Sequence, residues 1–382
     1  MLFRSGYRPE TAGTWSRTNV GLYAEVESDL SKEFLVGAAV RFENYSDFGS
    51  NFSYKFNFRH TFLEKFAVRG SISRGFRAPS MPQVYFSSQS VQFAANGSSI
   101  KTFFVPARNT ELGTALGVQS LKAETSLDFS AGLTAKLTPN FLITADAYLI
   151  NIEDRIAASG NIGTAGRAPF IALGFGAAAD AAIIFSNVLN TQTTGFDIVA
   201  NYNVAFGTNQ KLTLNAAANK SKTVVLTNKN TALVNKNAEL FMTQAQPNSK
   251  IILSANYQIQ RFNLLLRTTR FGEVTDPTAL YDVDVNKDGV FKNYIDATTK
   301  ESIIEVDGAQ QADFSAKWIT DVSVGYGILK NLNLSIGVNN VSDTYPDLLL
   351  KRQTAGEVIY SRRTNQFGTQ GRYMFATLNL TF

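Results

Sequence analysis

The feature that most constrains this chain is a strict two-residue alternation, and residues 372–382 show it most plainly. Even positions there carry Met374, Ala376, Leu378, Leu380 and Phe382; odd positions carry Tyr373, Phe375, Thr377, Asn379 and Thr381. Successive side chains of a strand point to opposite faces, so the segment has one apolar face and one mixed to polar face. The apolar face runs to Phe382 with no polar tail after it. That suits a barrel strand covered by lipid and by a neighbouring strand.

The same alternation recurs upstream. Segment 19–30 sets Val20, Leu22, Ala24 and Val26 against Asn19, Gly21, Tyr23 and Glu25. Segment 51–59 sets Phe52, Tyr54, Phe56 and Phe58 against Ser53, Lys55, Asn57 and Arg59. Segments 33–45, 65–76, 125–137, 140–155, 193–203, 211–221, 249–259, 262–271, 317–327 and 331–341 complete the series. The pattern predicts an all-β chain of about thirteen strands of roughly ten residues, the length of a tilted membrane strand. Mean hydropathy is -0.07, and no run of about eighteen apolar residues offers a transmembrane helix. The Ala- and Gly-rich stretch 169–185 is interrupted by Asp180. It reads as loop, with a buried helix as the alternative.

Connection lengths sharpen the prediction. Brief turns at 30–32, 61–64, 138–139, 207–209, 260–261 and 329–330 alternate with long stretches at 77–124, 156–192, 222–248, 272–316 and 342–370. Only 46–50 is short on the second side. Short periplasmic turns and long extracellular loops are the signature of a transmembrane antiparallel β-barrel. A soluble barrel would turn its apolar face inward and has no reason to gather long loops at one end. The polar face of Ser, Thr, Asn, Asp and Lys then lines the lumen, where burying it leaves no unpaired group in lipid.

This assignment puts the C-terminus at the periplasmic side. Counting back, segment 19–30 also descends, so the preceding residues read as the end of an extracellular loop. Single-chain bacterial barrels have an even strand number and start from the periplasm. The odd count therefore predicts the C-terminal portion of a larger barrel over 1–382, with a first strand whose open edge is costly in lipid. Met1-Leu2-Phe3-Arg4 opens into polar sequence, without a signal peptide.

Few residues offer chemistry. There is no cysteine and one histidine, His60, which excludes thiol catalysis, disulfides and Cys-based metal sites. The net charge of +5 is spread without basic blocks, so no nucleic-acid partner is expected. Asp284, Asn286 and Asp288, followed by Gly289 and the Val290 carbonyl, resemble the start of a calcium-binding loop, although position twelve is Ile295. A solvated acidic turn is the alternative, and no other cofactor is expected. Tyr85, Phe86, Phe103 and Phe104 stand in the longest loop, placed to stack a ligand or to pack against one another. Arg362 and Arg363 would attract an anionic ligand such as a ferric siderophore, or form a solvated face. Arg74 and Arg77 read as partners of lumen or loop carboxylates. Glu153 and Asp154 are adjacent strand residues on opposite faces, the wrong geometry for an acid–base pair. The chain reads as a non-enzyme.

Several short segments, in order, carry a family resemblance. Gly75-Phe76-Arg77-Ala78-Pro79 resembles a segment of TonB-dependent outer-membrane receptors. Leu121-Lys122-Ala123-Glu124 is similar to that family's Leu-Lys-Pro-Glu, with Ala123 in place of Pro. Gly21 to Glu25, Arg41 to Gly49, Thr194 to Asp197, Arg270 to Val274 and Ile336 to Asp343 resemble its strands. The resemblance implies an integral outer-membrane barrel of about 22 strands around an N-terminal plug, of which this chain supplies the last thirteen or so. It also implies active uptake of a scarce nutrient such as a ferric siderophore, driven by TonB through the plug. Plug, TonB box and signal peptide are not found here, so the chain alone is expected to be a fragment that does not transport. The alternatives are a passive porin-like channel and an outer-membrane barrel phospholipase. The latter needs a Ser-His-Asn cluster, and His60 lies near the wrong end.

Overall fold

The structure is a computed structural model. It describes residues 13–93, 100–159, 168, 172, 179–231, 233–276, 294–295, 302–306, 309–347, 360 and 366–381.

The first four strands are β1 (Asn19–Asp29), β2 (Phe34–Tyr45), β3 (Gly49–Phe62) and β4 (Phe66–Arg77). The stretch after β4 holds α1 (Met81–Tyr85), β5 (Ser88–Phe93), β6 (Ile100–Val105) and α2 (Glu111–Ala115). Then come β7 (Glu124–Thr138), β8 (Phe141–Ala158), β9 (Ala179–Ala182), β10 (Phe185–Phe206) and β11 (Gln210–Asn228). α3 (Lys236–Gln244) precedes β12 (Ser249–Ile259) and β13 (Phe262–Phe271). β14 (Val274–Asp276), β15 (Tyr294–Ile295), β16 (Ser302–Val306) and β17 (Ala309–Phe314) precede β18 (Lys317–Leu329), β19 (Leu332–Asn339) and β20 (Tyr373–Leu380).

Thirteen strands form one antiparallel sheet in the order β1-β2-β3-β4-β7-β8-β10-β11-β12-β13-β18-β19-β20. These are the thirteen segments predicted from alternation. Directly opposed residues share a face, and the register keeps the apolar sets together from strand to strand. Phe141 lies opposite Tyr202, Tyr202 opposite Leu214, Leu214 opposite Ala255 and Ala255 opposite Leu266. The row continues to Val322 and Val338, and Met374 of the last strand. The opposite face carries Asn201, Asn215, Ser254, Arg267 and Asp321. Across these strands the wall therefore has one apolar face and one polar face, and the buried clusters lie at the strand ends and among the small loop elements. The sheet remains open: β1 and β20 end the strand order, and every residue of β1 is exposed.

Two predicted loops are in part strand. β8 continues to Ala158, β10 starts at Phe185 and β11 runs to Asn228, so the two ends of 156–192 and the start of 222–248 belong to the wall. Above the bilayer a strand needs no lipid face, and its alternation lapses there. The remaining long stretches fold on one another. β5, β6 and β9 make a small sheet, β14 to β17 a second one, and α3 covers the top of β10 and β11. Of the predicted 169–185 loop, the described part contains β9.

Candidate functional site

At the outer end of the wall, the two segments quoted for the family resemblance meet. Arg77 ends β4 and lies directly opposite Glu124, the first residue of β7. The Arg77 Nε donates to Glu124 Oε2 at 2.8 Å, and the Ile156 N–H donates to Oε1 at 2.6 Å. Glu124 is 4 % exposed, so its charge depends on those donors. The sequence predicts a lumen or loop carboxylate as partner of Arg77, and that carboxylate is Glu124, at the start of β7. Arg74 instead donates to the Phe52 carbonyl on the apolar side of the wall.

A second clasp lies beside it. Asp154 sits at a break in the β8–β10 register with φ +53°. Its carboxylate receives Lys122 at 2.7 Å and Lys229 at 2.5 Å. Asn187 donates to the Lys122 and Asp154 carbonyls and accepts from the Lys122 N–H. The segments before β7 and after β11 are thus tied to one carboxylate of β8, and Asn187 of β10 to the backbone beside it. Sequence reasoning treated Glu153-Asp154 as a failed acid–base pair and missed this role, because the bulge that turns Asp154 has no glycine to announce it.

The aromatic candidates split. Tyr85 and Phe86 line a cavity of about 450 Å³ together with Pro106, Arg108, Gln119 and Phe185. Tyr85 stacks on Trp15, ring centroids 5.4 Å apart. Arg17 holds Asp47 through both Nε and Nη2 and lies over the Phe48 ring at 5.0 Å. The segment before β1 is thereby fastened to the loop that walls the cavity. Phe104 is 5 % exposed in a cluster with Leu112 and Ala182, which favours loop packing for that ring. The Phe103 backbone pairs with Ser90 and Ala181. Asp284, Asn286, Asp288, Val290, Arg362 and Arg363 lie outside the described residues.

The lumen side is a network of paired charges and amides. Arg69 of β4 reaches Asp146 of β8 across the intervening β7, with Nη2–Oδ2 at 2.6 Å. Arg267 reaches Asp321 at 2.7 Å, and Asp321 also accepts from the Asn340 N–H. Ser71 with Ser130 and Thr213 with Asn203 continue the pattern. Near the base of the last long loop, Asp347 receives Lys317 and the Ser315 N–H. Burial opposes its charge, but hydrogen bonds from Lys317 and Ser315 outweigh it and hold the carboxyl below its usual range. His60 faces the apolar side, its ring 5.8 Å from Phe34 and 6.2 Å from Phe62. The assembled side chains form a row of paired charges and amides along the wall.

A family model described as TonB dependent receptor-like, beta-barrel, matches residues 3–341. No match was found among curated proteins. Among solved structures, the ferric enterobactin receptor of Pseudomonas aeruginosa in complex with BCV-L6 superposes with a TM-score of 0.61 at 18 % identity, over 99 % of this chain and 48 % of that one. The siderophore receptor PirA of Acinetobacter baumannii gives 0.59 at 17 %, over 96 % and 46 %. The FrpB iron transporter of Neisseria meningitidis gives 0.60 at 15 %, over 96 % and 46 %. The chain spans a little under half the length of these structures.

Proposed function

The chain belongs to the TonB-dependent receptor β-barrel family, a family of outer-membrane transport receptors, and on that premise we propose that it is wall and outer loops of a siderophore uptake receptor. In this reading the thirteen strands sit in the outer membrane as part of a barrel of about 22. The remaining strands would join β1 to β20, and a plug would fill the polar lumen. The outer loops would bind a ferric siderophore, and TonB would draw on the plug to open a path.

The observation that carries this reading is the two-faced open sheet, apolar outside and charged inside, with its loop structure gathered at one end. A lumen lined by Arg69–Asp146 and Arg267–Asp321 is a polar path of the kind a large hydrophilic ligand needs. The solved siderophore and iron receptors with the same fold point to the cargo class.

The test is uptake of radiolabelled ferric enterobactin by cells carrying the intact receptor, with and without TonB. Accumulation that requires both receptor and TonB is expected. Accumulation that persists without TonB would replace this reading by a passive channel. A receptor that neither binds nor takes up ferric enterobactin or other ferric siderophores would remove the siderophore as cargo.

A further inference from the structure

The apolar face of the wall is not uniform. Around β10 to β13 it carries small residues where its neighbours carry large ones: Ala200 lies opposite Ala216, and Leu214 opposite Ala255. Tyr202 and Leu266 flank them. The result is a groove of about 830 Å³ on the outward side.

Directly above this groove the outward side chains change character. Along β11 the outward positions run Leu212, Leu214, Ala216, Ala218 and then Lys220 and Lys222. Lys220 lies opposite Ser249 of β12, and Arg270 of β13 lies opposite Ile251 on one side and Trp318 on the other. Arg270 contacts the Ser249 hydroxyl at 3.5 Å. Among the described residues none of Lys220, Lys222 and Arg270 has a carboxylate partner within ion-pair distance, whereas the lumen cations Arg69 and Arg267 are paired. Trp318 is 46 % exposed.

The height of this patch is informative. Lys220 is ten residues from Gln210 at the start of β11. At about 3.3 Å per residue and a tilt of about 40°, that places it about 25 Å above the lower turn, the height of the apolar band of such barrels. Cations there would stand at the phosphate level of the outer leaflet, with a Trp at the interface and an apolar groove descending into the hydrocarbon. Four residues along β11 separate Ala216 from Lys220, about 13 Å, a span a lipid crosses from headgroup to upper acyl chain.

We propose that this patch binds a phosphate-bearing lipid of the outer leaflet, with its phosphate on Lys220, Lys222 and Arg270 and an acyl chain in the alanine-floored groove. The proposal rests on the outer-membrane reading above and adds a ligand site on the outside of the wall, separate from the transported cargo. The occupant follows from charge and depth: a protein partner or a soluble anion would not need an apolar groove below the bilayer surface.

The test uses the intact receptor in nanodiscs and native mass spectrometry. The probes are dipalmitoyl phosphatidic acid, dipalmitoyl phosphatidylcholine and inorganic phosphate. Wild type should retain phosphatidic acid at least about fivefold better than phosphatidylcholine, in line with three basic side chains at an anionic surface. The variant Lys220→Gln/Lys222→Gln/Arg270→Gln should lose that preference. Ala216→Phe, which fills the groove and keeps every charge, should weaken retention of both lipids at this site. Equal retention of the two lipids by wild type would overturn the proposal. So would undiminished preference in the triple variant, or competition by inorganic phosphate that matches the lipid. A receptor that fails to enter nanodiscs at all would instead count against the membrane reading.

Discussion

Gly132 is where a side chain would do harm. It lies between Arg69 and Asp146 in register, and an added Cβ would come within 2.1 Å of Asp146 Oδ1 and 2.8 Å of Arg69 Nε. The missing side chain leaves the gap through which β4 and β8 are bridged over β7. Gly132→Ala should therefore break the pair and lower stability by about 1 kcal/mol, since the Arg69 end is partly solvated. A shifted denaturant midpoint in micelles checks this, and Gly132→Ala in an Asp146→Asn background should show a smaller loss. Asp347 makes a pH prediction. Its folded carboxyl titrates below its ordinary value of 3.8, so its stabilisation is complete above that value and is lost as pH falls through the depressed one. Trp318 fluorescence, in a Trp15→Phe background, should report loosening near Lys317 only below about pH 4. Asp347→Asn should abolish the transition. At this scale sequence revealed residue types but few partners. Arg77 and Glu124 stand in separately recognisable segments, yet 47 positions divide them, and only the β4–β7 register brings them together.

The β10–β11 hairpin shows what limits reading an element from its pattern. Across the bilayer, lipid requires an apolar side chain at every second position, and the strands were legible there. Near the top of β10 the requirement ends. Asn187, Val188, Leu189, Asn190 and Thr191 do not alternate, and two register shifts fall among them. Val188 and Leu189 are buried beneath α3 with Val234 and Ala157, a local core that replaces the lipid. Leu189 is fully buried, so Leu189→Ala should cost about 2–4 kcal/mol locally. Hydrogen exchange should show faster opening of α3 and the upper part of β11, while the amides of lower β11 keep their protection. Equal acceleration over the whole hairpin would mean that the upper and lower parts open as one unit. The candidate site suffered from the same limit. Its cavity is lined from Asp47 after β2, from the β4–β7 stretch and from Phe185 at the start of β10, and no spacing in the sequence links those segments.

At the scale of the molecule, the two ends of the sheet dominate behaviour. β1 and β20 present unpaired backbone edges, which are costly in hydrocarbon and prone to pair with another chain. The absence of cysteine makes a clean test available. In the 382-residue chain refolded alone, Val26→Cys with Leu378→Cys, both near the lower ends of their strands, should give disulfide-linked dimers between copies rather than a bridge within one copy. Monomers with an internal bridge would show that the thirteen strands close on themselves. A further consequence concerns the height of the wall. β10 has 22 residues, and a tilted strand spends only about ten in the bilayer. The remaining dozen or so lift the paired backbone about 30 Å above the lipid at 3.3 Å per residue and a tilt of about 40°. A protease or an antibody approaching a living cell would meet the paired strands of that palisade well before it reached the lipid.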